Sequence, residues 1–213
     1  MNEFYVFLII GMFAMMAVMC LSGKVYSIPM HKSIIAACFL TVAGYIGIKI
    51  MYFVETGAWT GRSMYGAIFL VPVFMFPVSK LLKVEYRKLL DICAPAGCFM
   101  LALMKVKCMI DGCCSGKTFY FASGSFQFPS QIVEGVTSLA IGLILLKLIK
   151  DHTQCGLIYA WYLLLYGASR LVLNCFRWTH PWLGPLPAGH VWSLLAIAAG
   201  VVLLRSGRTT VHP

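Results

Sequence analysis

The stretch Gly156–Phe176 reads GLIYAWYLLLYGASRLVLNCF and combines the length of a membrane-crossing helix with a single cation, Arg170. A helix of about 20 mostly apolar residues spans the ~30 Å hydrocarbon core of a bilayer. An arginine inside such a helix costs roughly 2.5–3.5 kcal/mol on insertion scales, so by default it marks a functional site. This stretch therefore predicts both a transmembrane helix and a polar centre within it.

The composition of the whole chain also indicates a membrane protein. Of its 213 residues, 61% are apolar and 11% are charged, whereas soluble domains are about half apolar and about a quarter charged. The formal charge is +10, but the cations are spread between apolar runs instead of forming one basic patch. No nucleic-acid partner is therefore expected. A disordered tail, a coiled coil and a secreted disulfide scaffold are excluded on composition.

Six further apolar runs of similar length precede or follow this stretch. We expect an all-α integral membrane protein in which residues 1–213 form a single domain of seven transmembrane helices. The first run is interpreted as a helix and not as a signal peptide, because Glu3 and no cation precede it. The seven predicted helices cover residues 4–22, 33–53, 64–82, 91–110, 131–149, 156–176 and 189–205.

The distribution of lysine and arginine predicts how the helices are oriented. The first, third and fifth loops and the C-terminal segment hold ten cations, whereas the opposite side holds five. Because cytoplasmic loops are enriched in Lys and Arg, the N-terminus is expected outside and the C-terminus in the cytoplasm.

A long loop at about residues 111–130 is expected on the outer side. Phe119, Phe121, Phe126 and Phe128 alternate there with small or polar residues. This pattern favours a segment lying in the membrane interface. An amphipathic cover without chemistry is the alternative.

Polar residues recur along one face of the helix that contains Arg170. Tyr166, Arg170 and Asn174 are spaced four residues apart, and Arg177 follows them. A guanidinium can hold a phosphate through two hydrogen bonds, so this face predicts an anion site in the outer half of the membrane. A compatible alternative is an internal ion pair between Arg170 and Glu134.

Three other segments deliver polar residues to the same outer side. Gln131 and Glu134 face the same way in the first turn of the fifth helix, and Glu134 is the favoured counter-ion for Arg170. The glycines after the fourth helix permit a concavity of backbone N–H groups that binds anions. We expect a positively charged cavity that opens outward and holds the headgroup of an anionic lipid. The residues of the remaining two segments are Arg62 and Tyr65 at the start of the third helix, and Lys105, Asp111, Gly112 and Gly116 at the end of the fourth.

The nine cysteines contain no C-x-x-C pair, so neither a zinc ribbon nor a thioredoxin-like site is supported. Neither a metal nor a cofactor is expected. Cys113 and Cys114 are adjacent, and a disulfide between neighbours is strained, so they are interpreted as packing or loop thiols. A membrane redox enzyme that uses Cys108, Cys113 and Cys114 is a further hypothesis.

Four strings of the chain occur in an order that is typical of one family. They are GRSMYG at residues 61–66, KVKCMIDGCCSG at 105–116, FPSQIVE at 128–134 and LYGASR at 165–170. Over about residues 57–200 the chain resembles the bacterial phosphatidylglycerol–prolipoprotein diacylglyceryl transferase family. The second string is similar to its signature Arg-x-Gly-Asn-Phe-x-Asn-Gly-Glu-x-x-Gly, and more so to a Gly-Cys-Cys-x-Gly-Lys variant. The third is similar to His-Pro-Ser-Gln-Leu-Tyr-Glu, the fourth matches Tyr-Gly-x-x-Arg, and the first lies at the family's Ser-Phe-His-Gly-Gly box.

The resemblance implies a multi-pass enzyme of the bacterial cytoplasmic (inner) membrane. Such an enzyme moves the diacylglyceryl group of phosphatidylglycerol onto the lipobox cysteine thiol of a prolipoprotein and releases glycerol phosphate. The implied partners are an anionic phospholipid, a lipoprotein or small thiol acceptor, and membrane lipids. The implied catalytic residues are Arg170, Tyr166, Lys105, Tyr65 and Glu134. The implied phospholipid-binding residues are Arg62, Gln131, Cys108, Asp111, Gly112, Gly116, Asn174 and Arg177.

The chain departs from the family pattern at four positions. Lys105 replaces the signature Arg, Cys108 replaces its Asn, and Tyr65 replaces the box His. Asn174 stands where the family has an acid after Tyr-Gly-x-x-Arg. A lysine cannot form the guanidinium fork, and a tyrosine is a poor base at neutral pH. A catalytically silent phospholipid-binding or lipid-moving membrane protein on the same scaffold is therefore the alternative.

Overall fold

A computed structural model of the chain describes residues 3–121, 124–151, 156–177, 181–183 and 186–209. These residues form seven helices and two short antiparallel hairpins. The helices are α1 (Glu3–Val25), α2 (Met30–Thr56), α3 (Tyr65–Leu82), α4 (Tyr86–Ile110), α5 (Ser130–Lys150), α6 (Ile158–Cys175) and α7 (Ala188–Thr209). The strands are β1 (Thr118–Phe121), β2 (Gly124–Gln127), β3 (Pro181–Leu183) and β4 (Leu186–Pro187).

The observed helices match the seven predicted ones, with ends that differ by a few residues. The largest difference is at α4, which begins at Tyr86 and contains Asp91 and Pro95 within it. Asp91 is fully buried, and its carboxylate accepts hydrogen bonds from the Tyr26 hydroxyl at 2.9 Å and the Tyr159 N–H at 3.2 Å. The helix can start before this acidic residue because the carboxylate is satisfied by neighbouring elements.

Six of the seven helices seen in the described residues are long and apolar enough to cross a membrane. The exception is α6, which has 18 residues and carries Arg170 and Asn174. Its polar residues lower the average hydropathy of the segment. The predominantly helical architecture agrees with the predicted class of α-helical membrane protein. The seventh crossing and the orientation stay predictions.

The central helix of the bundle is α4, which packs against α1, α3, α5 and α6. Its side chains Leu89 and Ile92 are almost completely buried. By contrast, Val73, Val136 and Val202 on other helices are 62%, 63% and 64% exposed. Each helix thus exposes large apolar side chains on the outside of the bundle. Such an apolar surface is what a bilayer requires.

Helices α2 and α3 approach each other closely at a pair of glycines. A Cβ atom on Gly66 would lie 1.9 Å from the carbonyl oxygen of Gly47. Only two residues without side chains allow the backbones to come this near. Because Tyr65 is adjacent to Gly66, this contact sets where the Tyr65 side chain enters the bundle.

The loop predicted at residues 111–130 contains the β1–β2 hairpin. Thr118 pairs with Gln127, and Phe121 pairs with Gly124. The alternation of phenylalanines is thus the two-residue period of a strand. Ala122 and Ser123 lie outside the described residues. The location of this hairpin in the membrane interface stays a prediction.

Candidate functional site

A buried carboxylate with three cations around it lies where α4, α5 and α6 meet. The Oε2 atom of Glu134 is 2.9 Å from Lys105 Nζ, 2.8 Å from Arg170 Nη1 and 2.9 Å from Arg177 Nη1. The Glu134 side chain is 2% exposed, and those of Lys105 and Arg170 are each 7% exposed. These four residues are called the Glu134 cluster below. Three cations and one carboxylate leave a net positive charge of two.

Two roles were predicted for Arg170, namely binding an anion and forming an internal ion pair with Glu134. Its ion pair with Glu134, which the sequence indicated as one alternative, is confirmed. The excess positive charge leaves the guanidinium able to attract a further anion. The first-turn position of Glu134 on α5 brings the carboxylate to the level of Arg170 on α6.

Arg177 contacts Glu134 although it lies two residues beyond Cys175, the last residue of α6. Gly116 and Arg177 form an antiparallel bridge, and the N–H of Lys117 donates to the carbonyl of Phe176 at 2.8 Å. A Cβ atom on Gly116 would lie 2.7 Å from the carbonyl oxygen of Phe128, so only glycine fits at this junction. The chain after α4 therefore holds the end of α6 in place.

Apart from the Nη1 atom of Arg170, whose contact is the ion pair with Glu134, three buried polar atoms of the site have no hydrogen-bond partner among the described residues. They are the hydroxyl of Tyr166, the Nε atom of Arg170 and the Oε1 atom of Glu134. The Tyr166 residue is 2% exposed, and its ring lies 5.8 Å from the Arg170 guanidinium carbon. A buried polar group without a partner costs about 1–3 kcal/mol. The arrangement can offset this cost by binding a polar ligand that accepts from Tyr166 and Arg170.

Tyr65 is part of a hydrogen-bond network that joins three helices. Its hydroxyl lies 2.8 Å from the Gly189 carbonyl and 2.8 Å from the Ser193 hydroxyl, and the Asn174 amide donates to it at 3.2 Å. Its ring lies 5.7 Å from the guanidinium carbon of Arg170. The Tyr65 hydroxyl thus has partners within the protein that fix its position, and the expected catalytic role of Tyr65 stays a prediction.

The same network changes the assignment of Asn174 and adds two residues. The Asn174 amide donates to Tyr65 and, at 3.4 Å, to Ser193, so it faces this network. The sequence did not indicate Gly189 and Ser193 of α7 as members of the site. Small residues in an apolar run give no signal that distinguishes them from ordinary helix-packing positions.

Two residues at the start of α5 hold the turn that follows α4. The Gln131 amide donates to the Cys113 carbonyl at 2.6 Å, and the Ser130 hydroxyl donates to the Cys114 carbonyl. Gln131 thus contacts the turn through its amide nitrogen. We describe it as a residue that positions the Cys113–Cys114 turn.

The backbone amides expected to form an anion-binding concavity have partners within the chain. The N–H groups of Gly112 and Gly116 donate to the carbonyls of Met109 and Phe128 at 3.2 and 3.0 Å. The predicted concavity therefore does not form at these two amides. The positive φ of Gly112, 65°, instead lets the chain reverse after α4.

The two remaining candidates are Asp111 and Arg62. The Asp111 carboxylate pairs with buried Lys107, so it neutralises that cation. Arg62 is exposed in the loop before α3.

The thiol of Cys108 comes together with those of the adjacent Cys113 and Cys114 beside the cluster. The Sγ atoms of Cys108, Cys113 and Cys114 all lie within 4.8 Å of one another, and all three thiols are free. A hydrogen bond from the Cys108 thiol, with positive potential from Lys105 and Arg177, lowers the pKa of Cys114 to about 5. Cys108 is five residues before Cys113 and six before Cys114, and these spacings match no common metal-ligand motif. The sequence therefore did not indicate a metal site at these thiols.

The helices and the Glu134 cluster define a multi-pass α-helical membrane protein with a positively charged centre inside its bundle. The chain belongs to the prolipoprotein diacylglyceryl transferase family, whose model matches residues 2–205. The resemblance seen in the sequence is thereby confirmed, and the match extends beyond residues 57–200 at both ends.

The chain is also similar to the phosphatidylglycerol–prolipoprotein diacylglyceryl transferase of Clostridium tetani. The two are 22% identical over 129 residues, which cover 55% of this chain and 52% of the relative. The chain thus spans about half the length of the curated relative that it matches.

Proposed function

We propose that the chain is a transferase of the bacterial inner membrane that moves a diacylglyceryl group from phosphatidylglycerol to an acceptor thiol. The thiolate sulfur attacks the diacylglyceryl carbon that carries the phosphate-ester oxygen, forming a C–S bond while the bond between that carbon and the oxygen breaks. The oxygen keeps the electron pair, and glycerol phosphate leaves. Family membership and the name of the Clostridium tetani relative support this reaction class.

The observation that carries the proposal is the buried, positively charged Glu134 cluster, beside which the Tyr166 hydroxyl and the Nε atom of Arg170 have no hydrogen-bond partner among the described residues. Negative charge develops on the phosphate as the C–O bond breaks, and preorganised cations stabilise that charge most strongly in a site without water. Arg170 and Lys105 supply the charge, and the Tyr166 hydroxyl supplies a donor. Glu134 keeps the cations at fixed positions before the lipid arrives.

The acceptor thiol also benefits from this positive charge. A free thiol has a pKa near ~8.5, and cations nearby favour the thiolate, which is the nucleophile. Because the Tyr65 hydroxyl is engaged with Gly189 and Ser193, it is not assigned as a base. Its ring supports the guanidinium of Arg170 instead.

The test is transfer to a lipobox peptide by the purified protein in phosphatidylglycerol-containing detergent micelles. Mass spectrometry should show the peptide heavier by one diacylglyceryl group, with glycerol phosphate released. Arg170→Ala should abolish transfer while leaving the protein folded, since Lys105 and Arg177 still neutralise Glu134. Arg205→Ala is the matched control, because Arg205 is an exposed cation on α7.

A second outcome distinguishes the alternative function. The engaged hydroxyl of Tyr65, at the position of the family's box His, favours a lipid-binding protein without transfer activity. Bound phosphatidylglycerol that is lost in Arg170→Ala, with no modified peptide, would support this alternative. Equal transfer by wild-type protein and Arg170→Ala would refute the role of the Glu134 cluster.

A further inference from the structure

The three thiols at the end of α4 form a compact group that the proposed transfer does not use. Cys108 lies in the last turn of the helix, and Cys113 and Cys114 lie in the turn that follows. The Cys113 N–H donates to the Cys108 carbonyl at 3.1 Å, and Cys114 adopts a left-handed φ of 62°. This reversal of the chain brings all three Sγ atoms within 4.8 Å of one another.

The geometry of the group is close to that of a metal site. Zinc–sulfur bonds of about 2.3 Å in a regular site separate neighbouring sulfurs by about 3.8 Å. The sulfurs here therefore need to move together by at most about an ångström. Thiolates are soft ligands that select Zn²⁺ or Cu⁺ over the hard cations.

Two buried side chains of α5 hold the Cys113–Cys114 turn in position. The Ser130 hydroxyl donates to the Cys114 carbonyl, and the Gln131 amide donates to the Cys113 carbonyl at 2.6 Å. Ser130 and Gln131 are 1% and 8% exposed. Such outer hydrogen bonds hold a ligand-bearing segment in position before the ion binds.

The charges around the group are complementary to a thiolate-bound cation. Three thiolates with one Zn²⁺ carry a net charge of −1, and with one Cu⁺ a net charge of −2. Lys105 and Arg177 place positive potential on Cys114. The excess positive charge of the Glu134 cluster thus offsets the negative charge of the loaded site.

We propose that Cys108, Cys113 and Cys114 bind one thiophilic d¹⁰ cation, Zn²⁺ or Cu⁺, through three thiolates. Each thiol releases its proton to solvent on binding, and no electron is transferred. Cys113 and Cys114 are exposed, so a fourth coordination position on Zn²⁺ faces the solvent side of the turn. The proposal is independent of lipid transfer, because it concerns binding alone.

The test is metal titration of the whole protein, purified in detergent with a phosphine reductant and no thiol. Zn²⁺ is titrated against a chromophoric chelator, Cu⁺ against bicinchoninate, and Co²⁺ reports thiolate ligation through its sulfur charge-transfer absorption. We expect one ion per protein to bind in the Zn²⁺ titration, in the Cu⁺ titration or in both. The titration that shows binding identifies the ion. Cys108→Ser, Cys113→Ser and Cys114→Ser should each weaken binding by about 100-fold or more.

The control variants are Cys38→Ser and Cys175→Ser, which alter exposed thiols on α2 and α6. They should bind the ion as the wild-type protein does. Melting curves of all variants without metal should coincide, which separates ligand loss from misfolding. The proposal is overturned if neither ion binds, if a control loses binding equally, or if two of the three thiols are oxidised to a disulfide in the purified protein.

Discussion

The Nη1 atom of Arg170 lies 2.8 Å from the Oε2 atom of Glu134, with both side chains at least nine-tenths buried. The guanidinium depends on this carboxylate, because without a counter-ion it would be an uncompensated buried charge. Lys105 and Arg177 contact the same oxygen. The carboxylate therefore holds together three positive charges that repel one another.

Removing this carboxylate should destabilise the protein strongly. Glu134→Gln leaves buried Lys105 and Arg170, and partly buried Arg177, without a counter-ion, which should lower the free energy of unfolding by about 3–5 kcal/mol. Thermal unfolding in detergent measures the effect. Glu85→Gln is the matched control, because it removes an exposed ion pair with Lys88 and should cost only about 0–1 kcal/mol. Equal losses in the two variants would contradict the picture of a carboxylate that organises the cluster.

Removal of the Tyr166 hydroxyl and removal of the Tyr65 hydroxyl should change the stability of the protein differently. Tyr166→Phe deletes a buried hydroxyl that has no partner among the described residues, so stability should stay equal or rise by about 1 kcal/mol. Transfer activity should nevertheless fall, if this hydroxyl donates to the lipid phosphate. Tyr65→Phe removes the bonds to Gly189 and Ser193 and should cost about 1–3 kcal/mol. Unfolding curves and transfer assays on the same preparations provide both readouts, and unchanged activity of Tyr166→Phe would exclude it from the phosphate site.

Replacing Lys105 by arginine should preserve or increase transfer. The guanidinium can keep the contact with Glu134 and add a second donor to the phosphate. The measurement is the rate of peptide modification relative to wild-type protein. Lys80→Arg on α3 changes an exposed cation in the same way and should have no effect. An inactive but folded Lys105→Arg protein would break the alignment of Lys105 with the arginine of the family signature.

The close approach of α2 and α3 should make two glycines of α2 and α3 behave differently. Gly66→Ala places a Cβ atom 1.9 Å from the Gly47 carbonyl, so it should lower stability by about 1–3 kcal/mol or more. Gly44→Ala meets no atom within 4 Å and should be neutral or stabilise the helix by about 0.5–1 kcal/mol. Melting temperatures of the two variants check this difference. A Gly66→Ala protein as stable as Gly44→Ala would show that the helices can separate freely.

The helices and the ion pair between Arg170 and Glu134 could be predicted from the sequence. Long apolar runs have few structural options in lipid, since every backbone polar group must be bonded within its own segment. Arg170 and Glu134 could be matched because very few charges occur inside these runs. Their rarity made the choice of partner almost unique.

The long loop and the roles of individual polar residues depended on the tertiary fold. The Tyr65 hydroxyl finds its partners because α7 supplies Gly189 and Ser193, which are more than 120 positions away. The bridge between Gly116 and Arg177 and the grouping of three thiols arise from a chain reversal after α4. Side-chain periodicity reports the environment along one element, whereas these contacts depend on how several elements are placed against one another. Local patterns therefore reveal helices and their buried charges, and packing decides which hydrogen bonds those charges and their neighbours make.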